Sequence, residues 1–151
     1  MSVTTPLPRS VAWLGHGGLL PFLALAGLVA LDPSRQSLWT LALVAYGAVI
    51  LSFVGALHWA FAMLLPDLPA DTRGRMYAWS TLPALMGWVA VWLGWPLAVA
   101  CLVPGLVLHY LQDRRLVART ALPTWYLPLR GRLTAVACIA LTLAWLASTL
   151  G

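Results

Sequence analysis

The chain contains no lysine and no glutamate, and four aspartates are its only acidic residues among 151 residues. Charged residues make up 9% of the sequence and hydrophobic residues 62%. Because about 25% of the residues in a soluble domain are charged, this composition excludes an ordinary soluble protein. The mean hydropathy of +0.87 indicates an integral membrane protein instead.

Cysteine is scarce as well, and both cysteines lie inside apolar stretches, where we expect small packing residues and no disulfide framework. The aspartates fall outside those stretches, in predicted loops. Acid–base hydrolysis and phosphoryl transfer need a carboxylate or histidine placed beside a nucleophile, so we do not expect an enzyme. The two cysteines are Cys101 and Cys138. The four aspartates are Asp32, Asp113, and Asp67 and Asp71, which share a solvated, proline-containing turn.

Five long apolar stretches occupy most of the chain, at about residues 11–31, 37–65, 76–93, 97–112 and 133–150. An α-helix needs about 20 residues to cross a hydrocarbon core roughly 30 Å thick. We therefore predict an all-α fold, a single integral membrane domain over residues 1–151 built as a bundle of five transmembrane helices. Pro21, Pro83 and Pro104 lie inside spans and should kink them, since proline removes a backbone hydrogen bond.

The arginines are distributed unevenly between the two ends of these spans. Eight of the nine lie on the N-terminal side of the bundle, and Arg35 alone lies on the other. Because cytoplasmic loops carry excess basic residues, we predict a bacterial inner-membrane protein with its N-terminus in the cytoplasm and its C-terminus outside. Residues 113–132 are predicted to lie along the interface and to contact lipid headgroups through Arg114, Arg115, Arg119, Arg130, Arg132, Trp125 and Tyr126.

Small residues recur along one face of the second span and let another helix backbone approach closely. In the fourth span, Gly105 belongs to a spacing of four residues that continues through His109 to Asp113. These residues predict helix-packing surfaces. The face of the second span comprises Ala45, Ala48, Ser52, Gly55, Ala56 and Trp59.

Three histidines, His16, His58 and His109, lie at similar depth within the cytoplasmic half of the predicted bundle. Ionisable groups inside a membrane usually face the bundle interior and have partners. Two interpretations stay open: the histidines hydrogen-bond between helices, or they bind a cofactor, for which haem is one candidate. We expect His16 and His58 to point into one cavity beneath the Pro21 kink. His109 and Asp113 are spaced as an imidazole–carboxylate pair, which would serve metal binding or proton handling, or equally form an ion pair at a helix end.

Several segments resemble the domain of unknown function 3429 family, the transmembrane protein 69-like proteins and their bacterial relatives. The similarity rests on residues 13–15 and 18–22, on the run from Tyr46 to Trp59, on residues 113–115 and 125–126, and on residues 129–134. Ala60 stands where the family often has glycine after the His-Trp pair. The resemblance implies a small inner-membrane protein, bacterial or mitochondrial in kind, and brings no established activity.

Two functions follow from these features. The first is a non-enzymatic accessory or assembly subunit of a membrane complex, docked through the small-residue face of the second span. The second is a binder of a flat hydrophobic cofactor, such as haem, another porphyrin or a quinone, or of a lipid, in the cytoplasmic leaflet. The expected partners are membrane lipids and another membrane protein or a second copy of the chain, and not nucleic acid. A channel or transporter is less favoured, because internal repeats and buried acidic groups are not evident.

Overall fold

The computed structural model of the protein describes residues 6–66 and 68–150. Asp67, which we expected in a solvated turn, lies outside the described residues, as do residues 1–5 and Gly151. Every regular element in the described ranges is a helix, so the all-α prediction is confirmed. The helices are α1 (Arg9–Gly17), α2 (Leu20–Leu31), a 3₁₀ turn (Pro33–Arg35), α3 (Gln36–Leu64), α4 (Ala70–Trp92), α5 (Trp95–Val117) and α6 (Tyr126–Leu150).

The first predicted span is broken into α1 and α2 near its middle. Pro21 is the second residue of α2, and its ring would clash with the carbonyl of Gly17 in a continuous helix. The chain therefore turns at Gly18 and Leu19. The Tyr46 hydroxyl of α3 donates a hydrogen bond to the Gly18 carbonyl over 2.7 Å, so the break does not leave that oxygen unpaired.

The long helices run antiparallel through short connections. At one end, Arg73 in the first turn of α4 donates to the carbonyls of Ala62 and Leu65 at the end of α3. At the other end, the Trp95 indole at the start of α5 donates to Ser148 near the end of α6 over 2.7 Å. We call the end where α3 and α5 finish and α4 and α6 begin the arginine-rich end.

Helices α3 and α4 form the most extensive contact in the bundle. A Cβ atom added at Gly55 would lie 2.8 Å from Cβ of Pro83, and one added at Gly87 would lie 2.8 Å from the carbonyl oxygen of Ala48. Such distances are too short for a real side chain, so the two backbones pack directly. Gly105 of α5 is equally confined, since its Cβ would lie 2.9 Å from a Leu51 methyl.

The small-residue face is narrower than the sequence predicted. Ala48 and Gly55 are buried and Ser52 is half-buried, but Ala45 and Ala56 are exposed. The buried part of this face is covered by α4 of the same chain. It is therefore not free to dock another protein, and only the exposed part of this face, Ala45, Ala56 and Trp59, remains accessible to a partner.

The sequence predicted one interfacial segment at residues 113–132, whereas the structure divides these residues between two helices and a turn. Residues 113–117 extend α5, a turn follows, and α6 already begins at Tyr126. The helices extend because the charges at their ends neutralise one another inside the bundle, as described below. Pro128 is compatible with this extension, since the first residues of a helix have no intrahelical partner for their N–H groups.

Within the described residues, four helical stretches are long and apolar enough to cross a membrane: Arg9–Leu31, Pro33–Leu64, Trp95–Val117 and Tyr126–Leu150. Helix α4 also has 23 residues, but its first two turns carry three charged side chains.

Large apolar side chains cover the outside of the bundle, among them Phe53 at 64% and Trp92 at 77% exposure, whereas Phe22, Leu51 and Leu102 fill the core. An apolar outside is what lipid contact requires, and the protein is an integral membrane protein.

Candidate functional site: a buried carboxylate beside an apolar cavity

Asp113 lies at the centre of a polar cluster inside the arginine-rich end of the bundle. Its side chain is completely buried. One carboxylate oxygen, Oδ1, accepts hydrogen bonds from His58 Nε2 and from the Tyr126 hydroxyl, each over 3.0 Å. The other, Oδ2, accepts from Arg130 Nε over 2.8 Å. The carboxylate on α5 thus joins α3 and α6, and its charge is balanced by the guanidinium of Arg130.

His109 lies one helical turn before Asp113 and is also completely buried. The Trp79 indole N–H donates to His109 Nδ1 over 3.2 Å. Because indole nitrogen can only donate, Nδ1 of His109 must be the unprotonated nitrogen, and the neutral ring carries its proton on Nε2. That nitrogen lies 3.8 Å from Asp113 Oδ1 and has no hydrogen-bond partner among the described residues.

His58, His109 and Asp113 place their potential metal-binding atoms within 4.8 Å of one another. The surrounding hydrogen bonds do not suit a metal. A histidine that binds a metal usually donates its second ring N–H to an acceptor, whereas the second nitrogen of His109 already accepts from Trp79. His58 Nε2 is likewise engaged with the carboxylate. The trio is better described as a hydrogen-bonded cluster.

The expected pairing of His16 with His58 is wrong. His16 is exposed, and its Nδ1 lies 2.7 Å from the Ala12 carbonyl one turn earlier, so its polar atom has a local partner and needs none from another helix. His58 instead lies against His109, with ring centroids 4.9 Å apart. Rings in such close contact leave no space between them for a porphyrin.

The residues expected to contact lipid headgroups divide into two groups. Arg114, Arg115, Arg119 and Arg132 are exposed and Trp125 is half-buried. The expectation for Tyr126 and Arg130 is corrected, because both are buried against Asp113. The buried negative charge explains their position: an unpaired carboxylate inside the bundle would cost several kcal/mol, on the order of 3–5.

A half-open apolar cavity of about 550 Å³ lies beside this cluster, lined by α1, α2, α3, α6, the turn before α6 and Leu106 of α5. Aromatic and aliphatic side chains form most of its wall, including Phe22, Phe61 and Leu133. Among its lining residues, Trp125, Tyr126, Arg130 and Thr134 carry polar groups. Two of their atoms, Arg130 Nη2 and Thr134 Oγ1, are buried without a hydrogen-bond partner among the described residues.

Another cavity, of about 310 Å³, lies on the other side of the cluster. Its lining is more polar and includes His58, Gln112 and three arginines of the arginine-rich end, Arg75, Arg115 and Arg119. The lining of the apolar cavity contains none of the three histidines. The Asp113 cluster therefore separates an apolar space from a polar one, with His58 on the polar side and Arg130 on the apolar side.

The sequence matches one protein family, described as Protein of unknown function (DUF3429), over residues 7–146. The chain belongs to the DUF3429 family. It is 33% identical over 138 residues to Transmembrane protein 69 of Xenopus tropicalis, and the aligned region covers 89% of this chain and 53% of that relative. It is 30% identical over 135 residues to Transmembrane protein 69 of Mus musculus, covering 87% and 54%. No solved structure matches the chain.

These findings confirm the family resemblance. This DUF3429 chain spans about half the length of the curated relatives it matches. The relatives are named as transmembrane proteins, in agreement with the apolar helices. Their names state no ligand, reaction or partner.

Sequence reasoning found part of the site in this DUF3429 member. It paired Asp113 with His109, whose Nε2 lies 3.8 Å from the carboxylate, but it placed Asp113 in a loop and Arg130 at the headgroups. One signal was present: the four-residue spacing from Gly105 through His109 to Asp113 puts the aspartate on the buried face of α5 if that helix continues beyond residue 112. The missing information was the counter-ion, which comes from another helix 17 residues later.

Proposed function

We propose that the chain is a non-enzymatic membrane protein that binds a hydrophobic molecule in the cavity between α1, α2, α3 and α6. The observation that carries this proposal is the cavity itself. Its volume of about 550 Å³ falls within the roughly 300–1,000 Å³ of typical small-molecule sites. Its apolar wall with a few polar groups at one side is also typical of such sites.

The ligand class follows from what surrounds the cavity. A histidine-ligated haem is disfavoured, since none of the three histidines lines the wall. A quinone or a lipid fits better, because each has a long apolar body and few polar atoms.

A non-enzymatic role is supported by Asp113, the one carboxylate buried among the described residues, whose oxygens are engaged by three donors. The accessory-subunit role has less support, because α4 covers the face expected to dock a partner.

Two leucine variants on α6 test the binding function. Leu133 lines the cavity, whereas Leu143 is 58% exposed and is not part of the wall. The protein would be purified in mild detergent and its bound small molecules extracted and identified by mass spectrometry. Leu133→Trp should reduce the stoichiometric ligand by filling its space, and Leu143→Trp should retain it. Equal retention in both variants, or the same mixture of bulk lipids in every sample, contradicts the proposal.

We further propose that α4 is a fifth span and that the N-terminus lies in the cytoplasm of a bacterial cell. Helix α4 is as long as α5, packs between α3 and α5, and exposes Trp88 and Trp92 on its outer side. The arginine excess at one end supports the orientation. A topology reporter fused to the C-terminus should lie outside the cell, and one inserted in the α3–α4 connection should lie in the cytoplasm. The opposite pattern would reverse the orientation, and both reporters on one side would remove α4 as a span.

A further inference from the structure

We propose that the polar part of the ligand is an uncharged carbonyl group, whose oxygen accepts hydrogen bonds from Arg130 and Thr134. This inference rests on the proposed binding function and specifies its ligand chemistry. Both residues line the apolar cavity, and they lie four residues apart on the same face of α6. The carbonyl of a quinone and that of a neutral glyceride ester share this chemistry.

The first support is the state of the two donors. Arg130 uses Nε to reach Asp113, while its Nη2 is buried without a partner among the described residues. Thr134 Oγ1 is buried without a partner among these residues as well. Leaving a donor unpaired in an apolar environment costs free energy, about 1–3 kcal/mol each, so a ligand oxygen that satisfies both would bind favourably.

Thr134 differs from the other hydroxyl residues inside the bundle helices. Ser52 donates to the Ala48 carbonyl and Thr142 to the Cys138 carbonyl, each over 2.8 Å and each one turn back along its own helix. This backward bond is the usual way for a helix to satisfy a hydroxyl. Thr134 does not make it, although it lies on the same helix as Thr142. Its hydroxyl therefore has no partner among the described residues, and the side chain must rotate before it can bond a molecule in the cavity.

The charge of the ligand follows from the counter-ion of Arg130. Asp113 and Arg130 carry opposite formal charges and contact each other over 2.8 Å, so the cluster is neutral when His58, which donates to the same carboxylate, is neutral. Beside them, His109 is in its neutral form because it accepts from Trp79. A ligand carboxylate or phosphate would add a negative charge without a counter-ion in this low-dielectric site, which is costly. A neutral acceptor adds no charge and still satisfies the donors.

Three probes separate these chemistries: decylubiquinone, dioctanoylglycerol and laurate. Binding would be measured by isothermal titration calorimetry with the purified protein in a non-ionic detergent. We expect at least one of the two carbonyl probes to bind at least tenfold more tightly than laurate. Thr134→Val keeps the shape of the side chain and should weaken carbonyl binding roughly two- to tenfold, the loss of one hydrogen bond. Thr142→Val is the matched control and should leave binding unchanged.

The outcomes distinguish this inference from the proposed function. If laurate binds as tightly as the carbonyl probes, or Thr134→Val binds like wild type, the carbonyl assignment is overturned. The cavity function then still stands if Leu133→Trp abolishes binding. If no probe binds wild type and no molecule copurifies, both proposals are overturned. A preference between the two carbonyl probes supports the assignment and identifies which source of carbonyl the site takes.

Discussion

Asp113 and Asp32 lie at opposite ends of the bundle and organise very different surroundings. Asp113 is completely buried, and its partners come from α3 and α6, at separations of 55, 13 and 17 residues. Asp32 is partly exposed in the turn after α2 and accepts from the Ser34 hydroxyl and, over 3.1 Å, from the Trp39 indole. One carboxylate thus links three helices, and the other stabilises a single turn.

The contrast shows how burial changes the role of the same chemical group. At Asp32, water and near neighbours replace any lost hydrogen bond, so the turn depends little on it. Asp113 is shielded from solvent, and each partner depends on the carboxylate for its own pairing. The arginine-rich end should therefore be sensitive to single substitutions, and the opposite end should tolerate them.

The largest expected effect is that of Asp113→Asn. The substitution removes the negative charge and leaves Arg130 buried without its counter-ion, which should destabilise the protein by about 3–5 kcal/mol. Denaturant unfolding in detergent, followed by circular dichroism, measures the loss. The double variant Asp113→Leu with Arg130→Met should recover part of the stability, because it removes both charges. A loss below about 1 kcal/mol in the single variant would show that the ion pair is not buried as described.

Gly55→Leu should have the next largest effect. Gly55 contacts Pro83 and lies three residues before His58, so a larger side chain would push α4 away from α3 beside the cluster. Overpacking of this kind costs roughly 1–3 kcal/mol. Gly27→Leu is the control, since a Cβ at Gly27 meets nothing within 4 Å. Equal melting temperatures for the two variants would contradict the close α3–α4 packing.

Tyr126→Phe tests one hydrogen bond of the cluster without changing its charge. The variant loses the donor to Asp113 Oδ1, while His58 and Arg130 keep theirs. We expect a loss of about 1 kcal/mol, well below that of Asp113→Asn, by the same unfolding measurement. A loss as large as that of Asp113→Asn would mean that the hydroxyl, and not the ion pair, determines the stability of this end.

The sequence predicted those parts of the fold that depend on the residues of one helix alone. Apolar runs predicted α2, α3 and the middle of α5 and α6, and proline predicted the interruption near Pro21. The helix ends were not predictable, because residues 113–117 and 126–132 look too polar for a bundle when each is considered alone. Their polarity is acceptable only because Asp113 and Arg130 meet, and nothing in either segment specifies that contact.

The site was predictable in part for the same reason. One of the two interpretations of His58 and His109 was that they hydrogen-bond between helices, and they do. His16 was expected to join them, but a carbonyl one turn earlier satisfies it, and sequence alone does not distinguish a local from a distant partner. A cavity was expected beneath the Pro21 kink, and the apolar cavity is lined by Gly18 and Phe22 on either side of that break. The histidines expected to point into it do not line it.

Asp32→Asn should have the smallest effect, and its pH dependence distinguishes the two carboxylates most sharply. Hydrogen bonds from Ser34 and then Trp39 hold the pKa of the Asp32 carboxyl below its ordinary value of 3.8. A carboxyl with a lowered pKa stabilises the folded state above its unfolded pKa, and the contribution is lost as the pH falls through the lowered value. Wild type should therefore melt slightly above Asp32→Asn at pH 7, and the difference between the two melting temperatures should shrink as the pH falls below about 3.8. Differential scanning calorimetry at pH 7 and at pH 3 measures both differences. An undiminished difference at pH 3 would mean that the turn depends on the shape of the side chain and not on its charge.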